Sequence, residues 1–315
     1  MKIVSIDQDI FAFPYTMCDK CLAPLRELGI ELYGYSDKPE PSEEDLYERM
    51  KDAEIVFWGI YELPNALLER CKKLKLLIYY GVGYESYVDV EFCKSHGITL
   101  LNTPNYGSNT VAEYAVGLAF ALTRRICKAD RRMRNEDWRS QGLEGQEIAG
   151  LTYGIVGTGA IGALVAKKAS LLGASVIAFD IKENDELKNK YGVKYVTLET
   201  LMSSADIVSL HLNVWESTKG IITKELINSM KKGAYFINSA RSAVVESYEP
   251  VYERIKNGSL AGAAIDVFDS EPIPSFEPCQ LENIITSPHI GYLTTTAMCN
   301  TLKIAVAETL EFLKG

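Results

Sequence analysis

The sequence predicts an α/β protein of two doubly wound parallel-sheet domains, one inserted into the other. Three observations carry this. Short apolar runs alternate with helical stretches from the first residue to about residue 101, and the alternation resumes at Tyr153 and continues to about Thr286. A last helical segment, Thr295–Leu313, has no strand of its own to cover, so it returns to the first domain. The expected boundaries are 1–101 with 288–315 for the outer domain and 102–287 for the inserted one, and a chain of 315 residues suits two domains of about 150.

Five β-like runs open the chain: Lys2–Ile6, Ile30–Tyr33, Glu54–Trp58, Leu76–Tyr79 and Ile98–Leu101. Each of the first four is followed by a helical stretch, among them Ser42–Lys51, where Ser42 and Asp45 form a capping pair, and Asn65–Lys73. Strand–helix alternation at this period predicts a parallel sheet covered on both faces, a flavodoxin-like outer domain. The rhythm then changes. Val111, Tyr114, Ala115, Leu118, Ala119, Leu122 and Ile126 make an i, i+3, i+4 stripe, predicting one long helix over Thr110–Arg132 that packs between domains or subunits. Six strands follow near Ile155, Val176, Ile207, Tyr235, Ala263 and Ile284.

Composition narrows the partners. The chain has 33 basic and 42 acidic residues, a net charge of −9, and gains nothing from the phosphate attraction that drives nucleic-acid or anionic-membrane binding. The local basic run Arg124, Arg125, Lys128, Arg131, Arg132 and Arg134 is interspersed with acids and reads as a solvated or subunit-facing helix end. Seven cysteines, mostly inside apolar runs, suit reduced thiols and a cytoplasmic location. Cys18 and Cys21 form a CxxC with no second pair or nearby histidine to complete a metal set, so no metal is expected; a helix start is the first reading and a redox role the second. The opening MKIVSIDQDI alternates like a strand and lacks a signal-type apolar core, and the longest uncharged apolar stretch, Tyr114–Leu122, is too short to span a bilayer.

Between Tyr153 and Asp180 the chain reads as an apolar strand, a Gly157-x-Gly159-x-x-Gly162 turn, an amphipathic helix, a second apolar strand and a terminal acid. Such a turn brings backbone close to a pyrophosphate, and the following helix start offers N–H groups and a positive dipole end. The inserted domain is therefore expected to be Rossmann-like and to bind a dinucleotide. Asp180 ends the strand Ser175–Phe179, where a carboxylate accepts from the ribose hydroxyls and repels a 2′-phosphate, so NAD is favoured over NADP.

A nicotinamide enzyme needs a proton donor or acceptor and a cation for the substrate carboxylate. Three histidines are present. His96 lies in a helix-to-strand turn, His211 closes a strand and either faces the cofactor or packs quietly, and His289 sits in Ser287-Pro288-His289-Ile290-Gly291 just after a strand. Position favours His289. Arg241 follows the strand Ala234–Asn238 beside small residues, where a guanidinium forms a bidentate clamp or a plain salt bridge; Glu271, in the Asp266–Pro272 stretch, is a cap or a partner for the histidine.

These segments resemble the D-isomer-specific 2-hydroxyacid dehydrogenase family nearly end to end. The carrying stretches are GVGYESYVDV (81–90), NTPNYGSNTVAEYAVGLAFALTRR (102–125), GTGAIG with Asp180, NSARSAVVE (238–246), AGAAIDVFDSEP (261–272) and SPHIG (287–291). The resemblance implies an NAD-dependent interconversion of a 2-keto acid and a D-2-hydroxy acid. His289 would be the acid/base, Glu271 its partner, favouring the charged imidazolium, and Arg241 the carboxylate clamp; Val82 and Gly83 would offer backbone N–H groups to the carboxylate. Ala160, Ile161, Asn213, Thr218 and Ala240 would join the cofactor site, Asp266 would meet the nicotinamide carboxamide, and a homodimer would form through the 110–132 region.

The chain departs from the family's pattern at three places. Ser242 stands where a glycine is usual, which predicts an altered backbone beside Arg241; Asn213 replaces a usual proline; and Tyr292 follows Gly291 where a small residue is common. Formate-type relatives replace the glutamate with an amide, so Glu271 argues against that class. An NAD-sensing corepressor-like protein and a phosphoglycerate- or hydroxypyruvate-type dehydrogenase stay open as alternatives. In the loop Gly59–Pro64 the chain carries Glu62 and no base, and Ile10–Tyr15 adds aromatic surface, so the expected substrate is an unphosphorylated acid with an apolar side chain.

Overall fold

The computed structural model describes residues 1–7, 10–11, 16–35, 41–85 and 87–315. They form two compact units, Met1–Gly107 with Leu293–Gly315, and Ser108–Tyr292.

The first unit holds a parallel sheet of β1 (Lys2–Ser5), β2 (Glu31–Gly34), β3 (Ile55–Trp58), β4 (Leu76–Tyr79) and β5 (Thr99–Asn102), in the order β2-β1-β3-β4-β5. This is the flavodoxin-like order expected from the sequence. The runs IVFW and LLIY of β3 and β4 are buried at every position, as central strands with helices on both faces require. Fully buried Trp58 and Phe57 each stabilise the unit by about 2 kcal/mol. The helix Glu43–Met50 begins with the expected reciprocal cap: Asp45 N–H donates to Ser42 Oγ at 3.2 Å and Ser42 N–H to Asp45 Oδ2 at 3.0 Å. The helix begun at Asn65 ends at Arg70 rather than Lys73, because Cys71 turns to ψ 69°. Ile10 and Phe11 of the aromatic loop are buried, and 12–15 lie outside the described residues.

The C-terminal helix Thr295–Phe312, capped by Thr294, belongs to this first unit. It buries Ala297, Met298, Leu302, Ala305 and Val306 and lies along the helix Thr16–Glu27, with Cys21, Pro24, Val306 and Leu310 lining a shared groove.

The second unit holds seven parallel strands: β6 (Thr152–Val156), β7 (Ser175–Phe179), β8 (Lys194–Tyr195), β9 (Ile207–Leu210), β10 (Ala234–Asn238), β11 (Leu260–Ile265) and β12 (Ile284–Thr286). Their order is β12-β11-β10-β9-β6-β7-β8, so the winding reverses between β6 and β9, where ligands bind in open α/β sheets. The two-residue edge strand β8, paired Ile177 to Lys194 and Ala178 to Tyr195, is too short to leave a sequence period.

The long helix expected over Thr110–Arg132 is two, Ser108–Thr123 and Ile126–Arg134. Arg125 takes a left-handed φ of 53° at the break, and the Thr123 carbonyl accepts from Gln146 N–H at 2.8 Å. Arg125 Nε also donates to the Glu144 carbonyl at 2.9 Å, so the 144–146 segment ends the first helix. That helix buries Ala112, Ala115, Leu118, Ala119 and Leu122 with Tyr153, Ile155, Val165 and Ala166 inside the second unit. Its apolar stripe therefore covers the unit's own sheet. No helix among the described residues is long and apolar enough to cross a membrane.

Candidate active site

The glycine turn is built by crowding on one side and space on the other. Gly157 has φ 92°, and a Cβ there would lie 2.9 Å from the His211 carbonyl oxygen. At Gly162 a Cβ would lie 1.8 Å from the Gly157 carbonyl oxygen, which leaves room only for hydrogen. At Gly159 a Cβ would meet nothing within 4 Å. The helix Ala160–Leu171 begins there without a side-chain cap, so the first-turn N–H groups of Ala160 and Ile161 face an open approach. An uncapped helix start beside an unfilled Cβ position fits a dinucleotide pyrophosphate.

Asp180, at the end of β7, is tied into this turn. Its Oδ2 accepts from Thr158 N–H at 2.6 Å and Thr158 Oγ1 at 3.1 Å, while Oδ1 accepts from Lys182 N–H at 3.1 Å. Tyr195 of β8 donates its hydroxyl to Thr158 Oγ1 at 2.9 Å and accepts from Asn184 N–H at 2.9 Å. Sequence reasoning missed both partners. Thr158 lies inside the Gly-x-Gly and was open to notice; Tyr195 sits on the short strand that no period marks.

The three candidate catalytic residues follow β10, β11 and β12. His289 Nδ1 lies 2.7 Å from Glu271 Oε2, and the other carboxylate oxygen accepts from Phe268 N–H at 2.9 Å. Burial pushes the Glu271 carboxyl up, but the His289 and Phe268 hydrogen bonds with the charges of His289 and Arg241 outweigh it and leave the group below its ordinary range. Ionised Glu271 can only accept, so Nδ1 carries the hydrogen and Nε2 is the nitrogen left for a substrate oxygen. The imidazole is half-buried and the Tyr292 ring stands edge-on at 6.1 Å between centroids.

Arg241 is exposed on an extended backbone (φ −146°, ψ 143°), with Nη1 on the Ala240 carbonyl at 2.8 Å. Ala240 N–H is held by Asn238 Oδ1 at 2.9 Å. Among the described non-glycine residues the left-handed region is taken by Asn105, Arg125, Glu136 and His289, so Ser242 needs no glycine backbone and starts an ordinary 3-10 turn.

The other expected positions fall as follows. Thr218 Oγ1 donates to the Asn213 carbonyl at 2.6 Å, closing the turn after β9. Asp266 is buried, and its carboxylate accepts from Ser287, Ile290 and Gly291. In the first unit Val82 is exposed, with its carbonyl on Asn102 Nδ2 at 2.8 Å, and Gly83 follows it. His211 is the packed alternative: its Nε2 lies 2.9 Å from Ser209 Oγ, and burial pushes its pKa down to about 3. His96 caps the helix Val90–Ser95 and stacks on Phe92.

The family model for the NAD-binding domain of D-isomer specific 2-hydroxyacid dehydrogenases matches residues 116–291. A glyoxylate reductase of Korarchaeum cryptofilum is 33% identical over 295 residues, 92% of this chain and 88% of its own length. A hydroxypyruvate reductase of Thermotoga maritima is 38% identical over 236 residues, 73% of this chain and 75% of its own. The D-lactate dehydrogenase of Aquifex aeolicus, solved with NAD and lactic acid, is 27% identical with a TM-score of 0.80, the match covering 99% of this chain and 96% of that one. The chain belongs to the D-isomer-specific 2-hydroxyacid dehydrogenases, an NAD-dependent enzyme whose second unit carries the cofactor turn.

Proposed function

We propose that the protein interconverts a 2-keto acid and a D-2-hydroxy acid, with His289 as acid/base, Glu271 as its partner and Arg241 as carboxylate clamp. The 2.7 Å His289–Glu271 contact carries this reading, because it sets the tautomer and leaves Nε2 for the substrate oxygen. When bound, the nicotinamide supplies the hydride. Arg241 holds the substrate carboxylate by paired N–H donors, and its charge opposes the negative charge that develops on the reacting oxygen. Asp180 accepts from the adenosine ribose. Stopped-flow NADH oxidation by His289→Ala tests the assignment; turnover near the parental value would sink it.

The substrate is an unphosphorylated acid with an apolar side chain. The support is the segment Gly59–Glu62 after β3, where Ile60 is half-exposed, Glu62 is the charged residue and no base is present. A second reading, a small acid of the glyoxylate or hydroxypyruvate type, is favoured by the names of the relatives from Korarchaeum cryptofilum and Thermotoga maritima. Comparing kcat/KM for phenylpyruvate, 2-ketoisocaproate, pyruvate, glyoxylate, hydroxypyruvate and 3-phosphohydroxypyruvate decides between them. A clear win for glyoxylate or the phosphorylated acid overturns the apolar-pocket reading.

We also infer a cytoplasmic homodimer with no nucleic-acid or membrane partner. The dimer rests on the helix Ile126–Arg134, which buries no residue of its own and shows Ile126 and Met133 half-exposed, with Trp138 at 85% exposure just beyond. Sedimentation velocity on the parent and Trp138→Glu checks it, the charge being expected to shift the protein toward monomer.

A further inference from the structure

We propose that Tyr114 and Ser287, acting through Asp266, are positioning residues that hold His289 in its working geometry; the proposal rests on His289 being the acid/base. His289 has φ 52°, a left-handed conformation that is strained for a residue with a Cβ and is held only where the surroundings fix it. Something must over-determine the backbone there.

Asp266 does so with both its carbonyl and its carboxylate. Its carbonyl accepts from His289 N–H at 2.9 Å, and the same N–H is shared with the Ser287 carbonyl at 3.0 Å. Its Oδ1 accepts from Ile290 N–H at 3.0 Å and its Oδ2 from Gly291 N–H at 2.8 Å. One residue thus grips three successive N–H groups, the first with its carbonyl and the next two with the two oxygens of its carboxylate. Gly291 is needed for this approach, because a Cβ there would lie 3.0 Å from Asp266 Oδ2 and 3.2 Å from Tyr114 Cδ1.

The carboxylate needs its own orientation, and two hydroxyls supply it. Ser287 donates to Asp266 Oδ1 at 2.6 Å, and Tyr114, from the helix Ser108–Thr123, donates to Ser287 Oγ at 2.6 Å. Burial pushes the Tyr114 hydroxyl above its ordinary range, with the Asp266 charge adding to it, so the phenol stays a donor and the chain of hydrogens has one direction. Ser287 sits directly after β12, which fixes its backbone, and Tyr114 reaches it from the opposite side of the unit's sequence. Removing the Ser287 hydroxyl takes away the side-chain donor to Asp266 Oδ1, and removing the Tyr114 hydroxyl takes away the donor that orients Ser287; the Ile290 and Gly291 N–H groups remain, so the carboxylate is loosened rather than released and the His289 ring shifts from its reacting position.

The test compares Ser287→Ala, Ser287→Thr and Tyr114→Phe with His289→Ala as reference, reading kcat, substrate KM, the NADH dissociation constant and Tm. Ser287→Ala is expected to lower kcat about 10-fold or more and Tyr114→Phe about threefold, with NADH affinity within about twofold of the parent. Ser287→Thr keeps a hydroxyl and returns kcat to within about threefold. Parental kcat in both Ser287→Ala and Tyr114→Phe, with His289→Ala inactive, overturns the network while leaving the acid/base reading intact. A fall in Tm with kcat unchanged overturns it equally. High turnover in His289→Ala removes the acid/base reading and the network with it. Should Ser287→Ala not fold, Tyr114→Phe, which deletes one oxygen, decides.

Discussion

Thr158 gives both its backbone N–H and its hydroxyl to a single oxygen of Asp180, at 2.6 and 3.1 Å. The acid at the end of β7 is therefore a brace for the glycine-rich turn as well as a group facing the ribose side. Asp180→Ala should accordingly do two things at once. The preference for NADH over NADPH, measured as a ratio of kcat/KM, should shrink about 10-fold or more, and NADH itself should bind several-fold more weakly as the turn loosens. Equal use of both cofactors by the parent protein would count against this reading of the acid.

The two faces of the turn separate folding from binding. Gly162→Ala forces a methyl to within 1.8 Å of a carbonyl oxygen, so the turn must open, and a loss of about 3 kcal/mol or more in urea unfolding is expected. Gly159→Ala meets nothing within 4 Å and should leave Tm unchanged while weakening NADH about 10-fold, since only the ligand needs that space. Fluorescence titration and thermal melts on the pair check both, and an unaltered NADH affinity in Gly159→Ala would show that the open position is not a ligand site.

Glu271 and His289 should behave as a unit. His289→Ala is expected to lower kcat about 100-fold or more with NADH affinity nearly unchanged, and Glu271→Gln about 10-fold. The depressed Glu271 carboxyl adds a pH dependence. Its contribution is present above the ordinary carboxylate pKa and disappears as pH falls through the lowered value, so activity at mildly acid pH should depend on Glu271 and fade only under strongly acid conditions. A double variant whose loss equals the product of the single losses would argue that the pair does not act together.

His211 supplies a stability signature independent of catalysis. Burial holds its pKa near 3 against an ordinary 6.5, so the folded protein keeps the ring neutral while the unfolded chain takes up a proton below pH 6.5. Its share of stability is complete above that pH and is lost on acidification, by about 2 kcal/mol between pH 7 and pH 5. Urea unfolding of the parent and of His211→Gln across that range should show the steeper slope in the parent. Parallel slopes would mean that the ring is not held neutral.

Much of this was legible in the sequence because the signals are local. The strand runs, the Ser42 cap, the glycine turn and the acid after β7 each lie within a few residues of what they determine. The break at Arg125 was not, since the helix ends there only because Gln146 takes the Thr123 carbonyl from another segment. Tyr195 reaches Thr158 across 37 residues and Tyr114 reaches Ser287 across 173, distances over which spacing carries no information. The histidine choice shows the same limit: position in a loop after a strand favours His289 over the strand-closing His211, and their surroundings, one sealed beneath the turn and one paired to a carboxylate, separate them further.

The helix Thr295–Phe312 completes a unit whose strands are all made before residue 103. During synthesis the contiguous unit Ser108–Tyr292 can close as soon as it emerges, whereas the first unit waits, with one helix face bare, until the helix Thr295–Phe312 has emerged as well. Premature termination after residue 292 would thus release a sound nucleotide-binding half joined to an unfinished partner, exposing Cys21 and Pro24 to aggregation rather than yielding a merely shortened enzyme.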